Sequence, residues 1–300
     1  MLEQEYYLGV DAGATKTTML IVNSKGKKIF EAKKDNLSHR HLTEKQFVNA
    51  LDEIASSIRF NLRFSCFAFA GLDTEEEKKK ITKMIKKSKL GKIIESNLVV
   101  VNDIETVLPS IDAENGAAAI AGTGSAFFAV NKNNIVKAGG VGYLLADEGS
   151  GYFIGLKVLK AAVKSNDGRG KKTILERMAF NKLKIKSVEE LVDYIYTGNL
   201  KKQVAGFAPL TEKALEKKDK VAREILSSAV DELEVGIKAV VKRAGLKGNF
   251  KIALTGSVFT NKFIMNNLNP RLKKLFPKAE ICMVKNSVIG AAKLAMKRSK

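Results

Sequence analysis

A pattern of strand, glycine-containing turn, strand, polar turn and strand occurs twice in this chain of 300 residues. The first copy covers residues 6–32 and the second covers residues 116–140. Each copy predicts a meander of three antiparallel strands, because apolar runs of strand length alternate with turn residues. Internal duplication of this kind constrains the fold more than any single element does. We therefore predict an α/β fold made of two similar halves with a cleft between them.

Helices and further strands are predicted to alternate after each meander. Thr43 predicts the cap of one helix, and Thr74 with Glu77 forms the capping-box pattern of a second. Short apolar strands are predicted at residues 65–70 and 98–101. The part of the chain from Gly149 onward is mostly helical, except for a predicted strand at residues 251–255 and a last one near Ile281. A broad apolar face on the helical stretch 221–244 fits either a core or a dimer interface.

The first glycine turn, GVDAGATKT at residues 9–17, predicts a phosphate-binding loop. Gly13 allows a tight turn, after which the backbone N–H groups of residues 14–16 can face an anion. Asp11 ends the preceding strand and shares this space, which suits a carboxylate that holds Mg²⁺ through water. An ordinary hairpin with an Asx-type turn also fits the same residues.

Two later turns repeat the theme. AGTGSAFF at residues 121–128 places glycines and hydroxyls in the second meander, with Gly124 at the place that Gly13 has in the first. Two such loops in duplicated halves suit a phosphate chain. LTGSVFTN at residues 254–261 follows a strand and opens a helix, whose N-terminus leaves room for a flat ring or a phosphate.

Two carboxylates follow apolar segments. Asp103 follows the apolar strand LVVV after Asn102, and the carboxyl end of a buried strand is a favoured place for catalytic groups in α/β proteins. The same residue also fits a helix N-cap. Asp147 precedes a predicted helix from Ser150, where acidic residues are common for electrostatic reasons alone. Asn36 is a candidate ligand for a substrate hydroxyl.

Composition narrows the classes of function. The net charge is +20, but the lysines are spread along the chain and often lie beside glutamate, so we expect solvated faces and no nucleic-acid partner. Cys66 and Cys282 fall in predicted core strands, and two cysteines exclude a disulfide scaffold or a four-cysteine metal site. No apolar run reaches the ~18 residues of a membrane span, and the N-terminus has no secretory pattern. We expect a cytoplasmic protein with no membrane partner.

Five segments carry a resemblance to a known family: GVDAGATKT, VVVNDIETVL, AGTGSAFFAV, GGVGYLLADEGSGYFIG and LTGSVFTN. Their order resembles that of the BadF/BadG/BcrA/BcrD-type ATPases, which belong to the actin-like, sugar-kinase and Hsp70 superfamily. Within the family, the chain most resembles N-acetylglucosamine kinases and short archaeal hexokinases. The resemblance implies two ribonuclease-H-like lobes with ATP and Mg²⁺ in the cleft, a small-molecule sugar as substrate, and a homodimer.

The resemblance also assigns roles to residues. Asp103 is the implied base that acts on the sugar hydroxyl, and Asp11 is the implied water-mediated Mg²⁺ ligand. The implied ATP and phosphate contacts are Asp11, Gly13, Thr15, Lys16, Thr17, Thr123, Gly124, Ser125, Gly256, Ser257 and Asn261. The implied sugar contacts are Asn36, Gly71, Asp103, Thr123, Gly124 and Asp147.

Some positions depart from the family's usual pattern. Ala14 replaces a glycine of the first loop, Val141 replaces a frequent tryptophan, and Ala146 replaces a frequent glycine before the acidic pair. The last two changes put the identity of the sugar in doubt. We predict an N-terminal lobe of residues 1–112 with 286–300, and a C-terminal lobe of residues 113–285.

The predicted activity is transfer of the γ-phosphoryl group of ATP to a hydroxyl, O6, of a hexose or N-acetylhexosamine. The alternative is a nucleotide-dependent activator or interaction module without sugar kinase activity. The activator branch needs cysteines beside the middle motifs for an iron–sulfur cluster, and Cys66 and Cys282 lie elsewhere.

Overall fold

A computed structural model of the chain describes residues 5–13, 16–34, 37, 42–72, 74–95 and 97–299. These residues divide into two compact units, which are described separately. The first, called unit 1, comprises residues up to Glu114 together with the segment from Val284 onward. The second, called unit 2, is the continuous stretch Asn115–Met283.

Unit 1 contains a five-stranded mixed sheet in the part of the chain that the structure describes. Its strands are Tyr6–Ala12 (β1), Thr17–Asn23 (β2), Lys28–Lys34 (β3), Leu62–Phe69 (β4) and Leu98–Asn102 (β5). Its helices are Glu44–Ser56 (α1), Glu75–Lys87 (α2), Lys89–Ile93 (α3), Val107–Ser110 (α4) and Val288–Arg298 (α12). The strand order is β3-β2-β1-β4-β5, with β1 antiparallel to β2 and parallel to β4.

Unit 2 contains a second five-stranded sheet among the described residues. Its strands are Gly116–Ala121 (β6), Ser125–Asn131 (β7), Asn134–Gly139 (β8), Lys251–Thr255 (β9) and Glu280–Val284 (β10), whose last residue clusters with unit 1. Its helices are Gly151–Asn166 (α5), Leu175–Leu183 (α6), Val188–Tyr196 (α7), Leu200–Ala205 (α8), Leu210–Glu216 (α9), Lys220–Ala244 (α10) and Lys262–Leu275 (α11).

The two sheets share one topology. The order of the second sheet, read from the opposite end, is β8-β7-β6-β9-β10, which repeats the order of the first sheet. The prediction of an α/β fold with two similar halves is therefore confirmed. The alignment of the glycines differs from the prediction, because Ala12 pairs with Thr17 across four residues and Ala121 pairs with Ser125 across three. By strand ends, Gly122 and not Gly124 corresponds to Gly13.

Local sequence signals explain where the helices begin. Thr43 caps α1 and Thr74 caps α2, each in a complete capping box with the residue three positions on, Gln46 or Glu77. Ser150 caps α5, as its position before the apolar run predicts. The apolar face of α10 lies in the core of unit 2, so it is core in this structure.

The cores explain which small residues are needed. A Cβ on Gly9 would lie 2.4 Å from the Ala292 nitrogen, so the glycine lets β1 and α12 approach closely.

Cys66 is fully buried in β4, as predicted, and burial raises the pKa of its thiol. Cys282 is only half-buried, because β10 is an edge strand; its predicted place in the core is therefore wrong. Among the described residues, no helix is both long enough and apolar enough to cross a membrane.

Candidate functional site

The carboxyl ends of three neighbouring parallel strands meet at one edge of the sheet in unit 1. Asp11 lies near the end of β1, Gly71 follows β4, and Asp103 follows β5. The registers pair Ala12 with Phe69 and Phe69 with Asn102, so the three strands end level with one another. Such an edge is where α/β proteins place ligands and catalytic groups.

Asp11 is half-buried, and two described neighbours act on the pKa of its carboxyl in the direction opposite to burial. The Ser287 hydroxyl donates a hydrogen bond to Asp11 Oδ2, and the ammonium of Lys16 adds a favourable charge. Removal from water is the larger effect and raises the pKa of the Asp11 carboxyl above its usual value, against the lowering by these two groups. The Asp11 carboxyl is therefore largely withdrawn from water at the edge where the strands of unit 1 end.

Asp103 is held by the turn that follows β5. The Asn102 side chain accepts a hydrogen bond from the Ile104 nitrogen at 3.1 Å and donates one to the Leu72 carbonyl at 2.8 Å. Asn102 is thus the cap of the short 3-10 helix Asp103–Thr106, and Asp103 is its first residue. The alternative that Asp103 is the cap is therefore wrong: the capping role belongs to Asn102.

The first glycine turn closes with a hydrogen bond from the Gly13 nitrogen to the Lys16 carbonyl at 3.1 Å. Lys16 is exposed, whereas Thr17 is fully buried. The Thr17 hydroxyl accepts a hydrogen bond from the Leu37 nitrogen at 2.9 Å. This bond links the first residue of β2 to the segment that follows β3. Thr15 and Asn36, the predicted contacts to phosphate and sugar, lie outside the described residues, as does Ala14.

The second glycine turn, Gly122–Gly124, is tied to the N-terminus of α5. The Gly122 carbonyl accepts from the Gly151 nitrogen at 2.8 Å, and the Thr123 carbonyl accepts from the Tyr152 nitrogen at 3.0 Å. The Ser125 hydroxyl donates to the Glu148 carbonyl at 2.6 Å. These bonds fix the backbone of the turn while the Thr123 side chain stays exposed.

Asp147 is 2% exposed and lies directly behind this turn. Its Oδ1 accepts from the Ser125 nitrogen at 2.9 Å, and its Oδ2 lies 2.7 Å from Lys201 Nζ on α8. The backbone of Asp147 has φ of 73°, a left-handed conformation that costs energy for a residue other than glycine. The Asp147 carboxylate thus binds a backbone N–H of the turn and an ammonium, and the backbone of Asp147 itself is strained.

The third turn lies beside the end of β6. Gly256 has φ of 111°, and a Cβ there would lie 2.3 Å from the Ala121 carbonyl oxygen, so only glycine fits. Ser257 is exposed. The Asn261 side chain caps α11 by accepting from the Ile264 nitrogen at 3.1 Å, which leaves its amide NH₂ for another partner. In unit 2 the structure therefore brings Gly256 close to the strand that leads into the second glycine turn.

The sequence does not predict two residues that contact the candidate carboxylates Asp11 and Asp147. Ser287 contacts Asp11 from 276 positions away, and Lys201 contacts Asp147 from a separate helix. No local motif marks either residue. Among the described residues, no group of three His, Cys, Asp or Glu side chains could hold a metal ion.

Comparison with known proteins decides the family. The profile of the BadF/BadG/BcrA/BcrD ATPase family matches residues 8–295, which is nearly the whole chain. The chain belongs to the BadF/BadG/BcrA/BcrD ATPase family. The resemblance of the five motifs to this family is thereby confirmed, and use of ATP follows from membership at the level of the family.

Two proteins that are similar to this chain are named as kinases. An N-acetylmuramic acid/N-acetylglucosamine kinase from Clostridium acetobutylicum is 37% identical, over 97% of this chain and 98% of its own length. An N-acetyl-D-glucosamine kinase from Dictyostelium discoideum is 27% identical, over 100% of both chains.

A solved structure confirms the fold of this family member. A protein from Chromobacterium violaceum, described as a proposed N-acetylglucosamine kinase, superposes with a TM-score of 0.73 over 97% of this chain and 98% of its own. The two sequences are 19% identical, so the likeness concerns the fold alone. The predicted fold class, α/β with two similar halves, agrees with this superposition.

Proposed function

We propose that this member of the family is an ATP-dependent sugar kinase. It transfers the γ-phosphoryl group of ATP to a hydroxyl, O6, of a hexose or N-acetylhexosamine, with N-acetylglucosamine as the first candidate. The observation that carries the proposal is the 37% identity, over almost the full length of both chains, to a kinase named for two N-acetylated sugars. The carboxylates at the strand ends of unit 1 and the glycine turns of both units supply the chemistry that such a transfer needs.

Asp103 is the proposed general base. It begins a short helix at the carboxyl end of β5, and the two hydrogen bonds of Asn102 fix the backbone there. A base in this position accepts the proton of the sugar hydroxyl as the oxygen attacks phosphorus, and the ADP oxygen leaves. Half-burial keeps the side chain reachable for a substrate.

The glycine turns are the proposed phosphate-binding loops. In unit 1 the turn after β1 carries the exposed ammonium of Lys16, which can neutralise phosphate charge. In unit 2 the turn Gly122–Gly124 has a backbone fixed by α5 and by Asp147, and Thr123 is exposed beside it. Because phosphoryl transfer depends mainly on positioning and neutralisation of charge, rigid loops of this kind lower the barrier. Gly256, Ser257 and Asn261 are the proposed adenosine contacts.

The residues of unit 1 fit a magnesium ion. Mg²⁺ in phosphoryl-transfer sites is usually bound by one or two carboxylates, by phosphates and by water. The half-buried Asp11, whose pKa is raised by burial, supplies one such carboxylate. When bound, the ion would neutralise the charge of the phosphate groups, and Asp11 would hold it through water.

A coupled ADP-release assay tests the proposal. Purified protein is given Mg²⁺-ATP and, in separate wells, N-acetylglucosamine, N-acetylmuramic acid, glucose, glucosamine and mannose. We expect turnover with at least one N-acetylated sugar at about 1–100 s⁻¹, the range that is typical of kinases. ATP turnover that is slow and indifferent to every sugar would contradict the kinase and favour the activator or interaction module.

A further inference from the structure

A groove walled by lysines runs along one edge of the sheet in unit 1. Its floor is formed by Leu98, Val99 and Val100 of the edge strand β5, and its wall is formed by one stripe of α2. Five lysines line that wall together with Glu75 and Thr82: Lys78, Lys79, Lys83, Lys86 and Lys87. The groove has a volume of about 620 Å³, and none of its lining residues is a candidate site residue.

The floor of the groove presents backbone groups that can extend the sheet. β5 is parallel to β4, and the Ser65 nitrogen donates to the Asn97 carbonyl at 2.9 Å. In a parallel ladder this places the N–H and C=O of Val99 toward β4 and those of Leu98 and Val100 outward. Among the residues that the structure describes, no other backbone segment bonds to these outward groups.

The wall of the groove carries an excess of positive charge. Lys78 pairs with Glu75 at 3.0 Å and with Glu105 at 3.5 Å, and Lys87 pairs with Glu44 at 2.9 Å. Lys79, Lys83 and Lys86 are exposed and have no ion pair within the described part of the chain. These three ammonium groups span about 10 Å of helix, which is close to the reach of alternate side chains on a short strand.

We propose that this groove binds an acidic protein segment in an extended conformation. The segment adds a strand to β5 through the outward backbone groups of Leu98 and Val100, and its Asp or Glu side chains contact the lysines of α2. Backbone pairing supplies affinity and the lysines select for acidic sequences.

Two other occupants fit the groove less well. A second copy related by a two-fold axis would place one lysine stripe against the other, and like charges repel. A nucleic acid cannot continue a backbone ladder, and the lining has neither arginine nor an aromatic ring for bases to stack on. Lysines also protect edge strands from non-specific pairing, and an acidic segment is the partner that this protection does not repel.

The test measures binding of a fluorescein-labelled heptapeptide of sequence Val-Glu-Thr-Glu-Val-Glu-Thr to the full chain, by fluorescence anisotropy at about 50 mM salt. Comparison probes are the same peptide with lysine for each glutamate, and a labelled oligothymidylate. The variants are Lys79→Glu/Lys83→Glu/Lys86→Glu, and Leu98→Pro, which removes one outward N–H without touching the ladder to β4. Lys213→Glu/Lys217→Glu/Lys238→Glu in unit 2 is a control of equal charge change.

We expect saturable binding of the acidic peptide only, weakened at least about tenfold by the triple reversal in α2 and by Leu98→Pro, and less than about twofold by the control. Thermal unfolding checks that each variant is folded. If Leu98→Pro does not fold, the effect of the triple reversal in α2 on peptide binding tests the proposal on its own. Absent binding, equal loss in the control, tighter binding of the oligothymidylate, or a wild-type dimer that the α2 reversal alters would each overturn the proposal.

Discussion

The Lys201 ammonium and the Asp147 carboxylate, 2.7 Å apart, together occupy the space that a side chain on residue 124 would fill. A Cβ on Gly124 would lie 2.6 Å from one carboxylate oxygen of Asp147 and 2.7 Å from Lys201 Nζ. The second glycine turn is therefore backed by an ion pair, and its glycine is required by that pair.

The first prediction concerns Gly124→Ala. The lysine end can move, but the Asp147 carboxylate is buried and bonded to the Ser125 nitrogen, so the methyl group forces the turn or the carboxylate to shift. We expect a loss of stability of about 1–3 kcal/mol, seen as a lower Tm, and a lower kcat/KM for sugar phosphorylation. Gly122→Ala is the matched control for stability, because a Cβ there meets nothing within 4 Å. Equal Tm values for the two variants would contradict the account.

The second prediction concerns Lys201→Met. This change leaves the 2%-exposed Asp147 carboxylate with the Ser125 N–H and without its ammonium. Breaking a fully buried pair costs about 3–5 kcal/mol, and because Lys201 is one-third exposed, water reduces the expected loss to about 1–3 kcal/mol.

A double-mutant cycle separates the ion pair from other effects of Lys201. Asp147→Asn removes the buried charge, so adding Lys201→Met to it should cost much less than Lys201→Met costs alone. Urea unfolding of the wild type, both single variants and the double variant gives the coupling free energy. Additive losses would show that the two side chains do not interact, and Lys201→Arg should retain most of the wild-type stability.

The third prediction concerns pH and Asp11. Burial raises the pKa of this carboxyl in the folded chain, against the opposing effects of Ser287 and Lys16. The folded state then holds a proton that the unfolded state has lost, so this group's contribution to stability falls as pH rises above the ordinary value of 3.8 and through the raised pKa.

Asp11→Asn tests that sign. The amide carries no charge, so the variant should lose this part of the pH dependence and be more stable than the wild type at pH 7, while its activity with Mg²⁺-ATP falls. Chemical unfolding between pH 4 and pH 8, without nucleotide or metal, measures the difference. A variant that is less stable than the wild type at pH 7 and equally stable at pH 4 would reverse the inferred sign.

The sequence predicts the local framework well. Turn residues and apolar periodicity place both meanders, and the capping box of Thr74 with Glu77 marks the first turn of α2. Asp103 is predicted at the end of β5 because a polar residue after a run of buried apolar residues marks the end of the strand. These features depend on residues within about four positions of each other, where spacing alone carries the information.

The contacts that the sequence does not predict join distant residues. Asp147 was expected to face a sugar, and the structure places it behind Gly124 in contact with Lys201, 54 positions on. Whether it also contacts a sugar stays a prediction. The alignment of Gly13 with Gly122 depends on a one-residue difference in loop length that composition does not reveal. Cys282 was misplaced because an apolar strand at a sheet edge has the same local pattern as a buried one.

The central claim is that Asp103 takes the proton of a sugar hydroxyl during phosphoryl transfer, and kcat of Asp103→Asn tests it most directly. Asparagine keeps the size and the start of the short helix but cannot accept that proton. With the sugar that the wild type uses best, we expect kcat to fall about 10²–10⁴-fold while Tm and the affinity for ATP change little. A folded Asp103→Asn variant with a kcat within about threefold of the wild type would contradict the account, since removal of a general base should cost at least about 10²-fold.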